Sequence, residues 1–121
     1  MLNPFQRFGR RAEGIAATHL KKNGYSIIEK NYRTRTGEID LIAMDGDTLV
    51  FIEVKARRTE RFGSPKEALS IQKQKKIVLT AYHYLKALGR SDLRIRFDVV
   101  SILMAGNDPS IEVVKGAFDI G

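Results

Sequence analysis

The 121-residue chain has no cysteine and no tryptophan. Without cysteine it forms neither a disulfide framework nor a thiolate zinc site, and it suits a reducing compartment. Proline occurs only three times, and no stretch reads as a linker, a repeat or a low-complexity tract. No apolar run approaches the roughly 18 residues of a membrane span. The opening Met1-Leu2-Asn3-Pro4-Phe5-Gln6-Arg7 also lacks the apolar core of a signal peptide. These absences predict one cytoplasmic domain over residues 1–121, with no membrane partner.

Twenty-one Lys and Arg stand against 14 Asp and Glu, a net charge of +7, and 43% of residues are hydrophobic. That is apolar surface enough for a core. The basic surplus matches nucleic acid, an anionic surface or an acidic protein, but charge also serves plain solubility. Local chemistry has to separate these.

Asn3 as cap, Pro4 at the first position and Gly24 as stop predict a helix over Pro4–Asn23, with Phe5, Phe8, Ala12, Ile15, Ala16 and Leu20 as its apolar stripe. Strands follow at Tyr25–Glu29, Glu38–Met44 and Thr48–Arg57, the last two joined as a hairpin across Asp45-Gly46-Asp47. Ser64-Pro65-Lys66-Glu67 matches a capping box. A long helix over Ser70–Leu88 stops at Gly89, with Ile71, Gln74, Val78, Ala81, Leu85 and Leu88 as its stripe. Strands at Arg94–Leu103 and Ile111–Val114 complete the order αβββαββ, an α/β class with a mixed sheet flanked by helices.

Strict alternation puts Glu38, Asp40 and Ile42 on one face of the second strand, and Phe51, Glu53, Lys55 and Arg57 on one face of the third. A turn at Asp45-Gly46 opposes Asp40 to Phe51, whereas a turn at Gly46-Asp47 opposes it to Glu53. Either register gathers Asp40, Glu53 and Lys55 on the same side. Two carboxylates there could share a Mg²⁺, the Val54 carbonyl could add an oxygen, and Lys55 could orient a water. Such a set suits phosphodiester hydrolysis. The plainer alternative is a cross-strand salt-bridge cluster on a solvated face. Apolar neighbours such as Phe51 favour the site, because acids buried among them need a compensating cation.

Gly37-Glu38-Ile39-Asp40 followed by Glu53-Val54-Lys55 resembles the PD-(D/E)XK nuclease signature. That resemblance implies a restriction-endonuclease-like fold in which Asp40 and Glu53 bind Mg²⁺, Mn²⁺ can substitute, and Lys55 assists the water. Gly9-Arg10-Arg11-Ala12-Glu13 resembles the start of archaeal Holliday-junction resolvases, which implies Glu13 as an auxiliary ligand. From Gly9 to Ala117-Phe118 the chain is similar to the bacterial YraN-like family. It departs from the superfamily where Ile39 replaces a proline, and from the resolvases where Thr34 and Thr36 flank Arg35 in place of a catalytic serine.

Arg33 and Arg35 lead into the acid strand, Arg57, Arg58 and Arg61 follow the lysine, and Lys73, Lys75 and Lys76 open the long helix. Together they form a basic rim suited to phosphates. His19 and His83 share no metal-ligand spacing. The expectation is a nucleic-acid-binding protein, DNA favoured over RNA, acting as a Mg²⁺-dependent endonuclease. Cutting branched DNA takes two active sites, so a homodimer is compatible with it. The alternative is a non-catalytic DNA- or RNA-binding or assembly module on the same fold.

Overall fold

A computed structural model describes residues 1–59 and 69–119. The capping box at Ser64–Glu67, Phe62 and Arg61 therefore lie outside the described residues. Helix α1 spans Pro4–Lys22 and starts on a closed cap: Asn3 Oδ1 accepts the Gln6 N–H, and Gln6 Oε1 accepts the Asn3 N–H, both at 2.9 Å. Strands β1 (Tyr25–Thr34), β2 (Gly37–Asp45) and β3 (Thr48–Arg57) follow, then helix α2 (Ile71–Leu88) and strands β4 (Arg94–Leu103) and β5 (Ser110–Phe118). The order αβββαββ is the expected one. Among the described residues, no helix is long and apolar enough to cross a membrane.

The five strands lie side by side in chain order. All neighbours are antiparallel except β3 and β4, which run parallel because α2 crosses over between them. The β2–β3 turn is Gly46-Asp47, with Asp45 opposite Thr48. Gly46 takes φ 63°, the left-handed value that a type II′ hairpin demands of its first central residue.

Each face of the sheet carries one helix. Ala12, Ala16, Ala17 and Leu20 of α1 pack on Leu41, Ala43, Val50, Ile52, Val100 and Ile102. Ile77, Ala81 and Tyr84 of α2 pack on Ile39, Ile42, Leu49, Phe51 and Phe97.

Three expectations need correction. Phe5 does not join the α1 stripe but is 88% exposed. The buried face of α2 is turned onto Ile77, Thr80, Ala81 and Tyr84, leaving Ile71 and Leu88 exposed. Tyr84 draws it there, edge-on to Tyr32 at 5.1 Å and to Phe51 at 6.0 Å. Thr80 can be buried because its hydroxyl donates to the Lys76 carbonyl (2.8 Å) and meets Thr36 Oγ1 (3.0 Å). Strands β1 and β5 also run longer than their sequences advertise. A register shift after Ile27 and the positive φ of Asn31 (54°) interrupt the β1 pattern, and Gly116 (φ 62°) and a shift at Phe97/Val99 interrupt that of β5.

The sheet is pinned by a buried polar network. Asp98 is fully buried and accepts from Tyr25 Oη (2.8 Å), Arg96 Nε (2.8 Å), Arg96 Nη2 (2.9 Å) and the Gly116 N–H (3.0 Å). Arg96 Nη2 also donates to Asp45 Oδ2 at 2.8 Å, where Lys115 Nζ stands at 3.3 Å. One carboxylate thus ties β1, β4 and β5, and the guanidinium extends the tie to β2. Asp98→Asn is expected to cost about 3 kcal/mol in urea denaturation, because the half-buried guanidinium keeps Asp45 but loses the fully buried one of its two charged partners. Burial first, then Asp98, push the Tyr25 phenol well above its ordinary value. The folded state therefore holds that proton after the unfolded chain has released it, and stability falls as pH rises past about 10. Tyr25→Phe should cost about 1 kcal/mol at pH 7. Its stability should also fall less steeply than wild type above pH 10.

Candidate functional site

The informative geometry is a fork. The β2–β3 ladder ends at Leu41↔Ile52. Beyond it β2 stays with β1 as far as Thr34↔Gly37, while β3 stays with β4 as far as Arg57↔Leu103. Asp40 and Glu53 are the first residues past the last shared rung. Asp40 fills the opening, its Oδ2 accepting the Val54 N–H at 2.8 Å where a strand carbonyl would otherwise stand. The carbonyl of an extended residue points the same way as its N–H, so that of Val54 also faces the gap.

The register is therefore the one that opposes Asp40 to Glu53. The strict alternation assumed for β2 fails, however. Ile39 and Ile42 both pack on the α2 side, with Leu41 between them on the α1 side. The break falls where Asn31, between the rungs Lys30↔Leu41 and Tyr32↔Ile39, takes its positive φ. The Asn31 amide turns to α1, donating to Glu13 Oε1 (2.9 Å) and accepting from Arg10 Nη1 (3.0 Å). The two acids converge across a splayed pair of strands, not by sharing a pleat face.

Glu53 has little exposure (12% of its side chain) and meets Lys73 Nζ, from the first turn of α2, at 3.4 Å. Ser70 Oγ holds that turn by accepting the Lys73 N–H (3.1 Å). Burial, then the Glu53 carboxylate, then Glu13 raise Asp40 far above the ordinary carboxylate range, to about 8, and the Val54 N–H only partly offsets this. On the other side of the fork, Thr34 and Thr36 hydroxyls meet at 2.7 Å, and Thr36 reaches Thr80 on α2. Gly37 passes so close to α2 that a Cβ there would lie 3.2 Å from Thr80 Oγ1.

Of the expected residues, Asp40, Glu53 and Val54 meet at the fork, and Lys55 is half-buried next to them. Glu13 faces Asp40 electrostatically while bonded to Asn31. Among the described residues, no three His, Cys, Asp or Glu side chains gather closely enough to hold a metal. Arg33 is exposed and pairs with Glu38 at 3.3 Å, and Arg35, Arg58 and Lys76 are exposed on the same molecule. Arg57 is half-buried. Sequence reasoning missed Asn31, whose one signal is that Asn tolerates positive φ. It also missed the contact of Lys73 with Glu53, which depends on where α2 docks.

Residues 12–102 match the family model described as "Uncharacterised protein family UPF0102". A UPF0102 protein of Desulfosudis oleivorans is 51% identical over 119 residues, covering 98% of this chain and 95% of its own. One from Desulforapulum autotrophicum is 48% identical over 118 residues, 98% of each chain. One from Rhodococcus jostii is 48% identical over 111 residues, 91% of this chain and 94% of its own.

The charge crowding at the fork has a measurable consequence. A carboxyl whose folded affinity for protons exceeds its unfolded affinity loses stability as pH rises from about 4 to about 8. Asp40→Asn removes that slope. In metal-free buffer it should melt at least about 4 °C above wild type at pH 8.5, equivalent to roughly 1 kcal/mol in a domain this size. At pH 4 the two curves should coincide.

Proposed function

The chain belongs to the UPF0102 family, and from that footing we propose that its fork is the active site of a divalent-metal-dependent nuclease hydrolysing phosphodiester bonds in DNA. The observation that carries this reading is the acid pair at the end of the β2–β3 ladder, with Asp40 braced on Val54, the residue between the glutamate and the lysine of the motif. The donors fit a hard cation: they are all oxygens, and two like charges crowded in a half-buried gap are relieved by a divalent ion.

Asp40 and Glu53 would hold Mg²⁺, or Mn²⁺ in its place, with the Val54 carbonyl as a further oxygen donor. Glu13, bonded to Asn31 and not gathered with the other two acids, would join only on leaving that amide or through a water. When bound, the ion offsets charge on the scissile phosphate and acidifies water. The chain's own groups do the rest. The Val54 N–H fixes Asp40 Oδ2, so the carboxylate is held in place for the ion without first reorganising. Lys55 Nζ orients the attacking water and steadies the negative charge that develops on the phosphate. Lys73, already beside Glu53, adds positive charge at the entrance. The basic residues Arg33, Arg35, Arg57, Arg58 and Lys76 supply the phosphate contacts that position a strand.

The test is a panel of linear, branched and single-stranded DNA and RNA incubated with Mg²⁺, Mn²⁺ or chelator. Cleavage is expected with either metal and not in chelator. Lys55→Ala should lower the rate about 100-fold or more, and Asp40→Asn and Glu53→Gln should abolish both cleavage and the Mn²⁺-induced rise in melting temperature. Binding should weaken steeply with salt, and Arg58→Ala should flatten that dependence. A panel bound but uncut under Mn²⁺ would replace the nuclease with a nucleic-acid-binding module.

A further inference from the structure

Where β3 ends, a cavity of about 430 Å³ opens between it and the start of α1. Pro4, Phe5 and Phe8 line one side, and Ala56, Arg57 and Arg58 the other. Phe5 is 88% exposed, yet it belongs to a helical turn that the Asn3–Gln6 box closes. A ring left in water contributes little to the fold, and beside Phe8 and Arg58 it extends one flat aromatic and cationic surface. The Arg58 guanidinium lies over the Phe8 ring, its Cζ 4.3 Å from the ring centre. The cavity thus offers aromatic and guanidinium planes within a cationic rim.

An occupant matching this is flat, aromatic and attached to negative charge. Position narrows it further. Ala56 and Arg57 follow Lys55 directly along β3, so at about 3.3 Å per residue their backbone lies within roughly 7 Å of the lysine's. Ala56 packs on the α1 side, from which Glu13 also acts on Asp40. A strand whose phosphate sat at the fork would bring its neighbouring nucleotide here. We propose that this cavity receives one unpaired base, stacked on Phe5, and that the substrate is a strand with unpaired nucleotides, not blunt duplex. The proposal rests on the nuclease reading of the fork and adds the substrate class. Base-on-aromatic stacking tolerates any base, so the pocket selects strand structure over sequence.

The chain has no tryptophan, so Phe5→Trp places a single indole at the cavity. In chelator, where nothing is cut, a single-stranded 12-mer should quench that indole, and a blunt 12-base-pair duplex should not. Phe5→Ala should weaken binding of the single strand about tenfold, and Phe5→Trp should retain it. Equal quenching by both oligonucleotides, or unchanged affinity in Phe5→Ala, would overturn the base pocket and leave the nuclease reading to stand on cleavage. Failure of wild type to bind either oligonucleotide would overturn both. Loss of self-association in Phe5→Ala, with oligonucleotide affinity unchanged, would assign the surface to a second copy of the chain.

Discussion

The hydrogen bond from the Val54 N–H to Asp40 is the interaction on which the site depends. A central strand needs partners on both edges, and β3 loses one when β2 diverges after Leu41. The Asp40 side chain can stand in for the missing carbonyl because it is short and strongly polar, and Oδ2 accepts whether or not the other oxygen carries a proton. In doing so it is drawn toward Glu53, and the backbone requirement of the sheet becomes the charge crowding of the site. The same departure depends on Asn31, whose positive φ shifts the β1 alternation, places Tyr32 under Tyr84 and sends the amide to Glu13.

Two polar clusters divide the sheet in opposite senses. Around Asp98 a buried carboxylate is matched by a guanidinium, a phenol and a backbone N–H. Its charge is compensated, and it holds strands together. At the fork, two carboxylates face one another with Lys73 beside only one of them. For Asp40, burial and the neighbouring acids outweigh the Val54 N–H, which weakens the fold locally. The stable cluster fixes four strands, and so the strained one keeps its shape.

The order of elements was legible because turn chemistry and hydrophobic period agreed: Asn3-Pro4, Asp45-Gly46-Asp47 and Gly89 mark their boundaries locally. Asp40, Glu53 and Lys55 were legible as a motif. Their mode of convergence was not, because a period-2 reading cannot see a break set by one residue at φ 54° on the neighbouring strand. The working face of α2 was misjudged for a related reason. Thr80 counts as polar in a helical pattern, but its hydroxyl is satisfied by its own helix and by Thr36. The exposure of Phe5 was illegible too, since helical spacing records which side a residue is on and not whether anything lies opposite.

The closeness of Gly37 to Thr80 joins two kinds of cause. Any side chain at that bend would press on α2, and α2 is the element that carries Lys73 to Glu53. A change of shape alone, with no charge altered, would then reach the acid pair as a change in its electrostatic surroundings. The glycine transmits nothing itself. By being small, it keeps a steric change at the bend from becoming an electrostatic change at the acids.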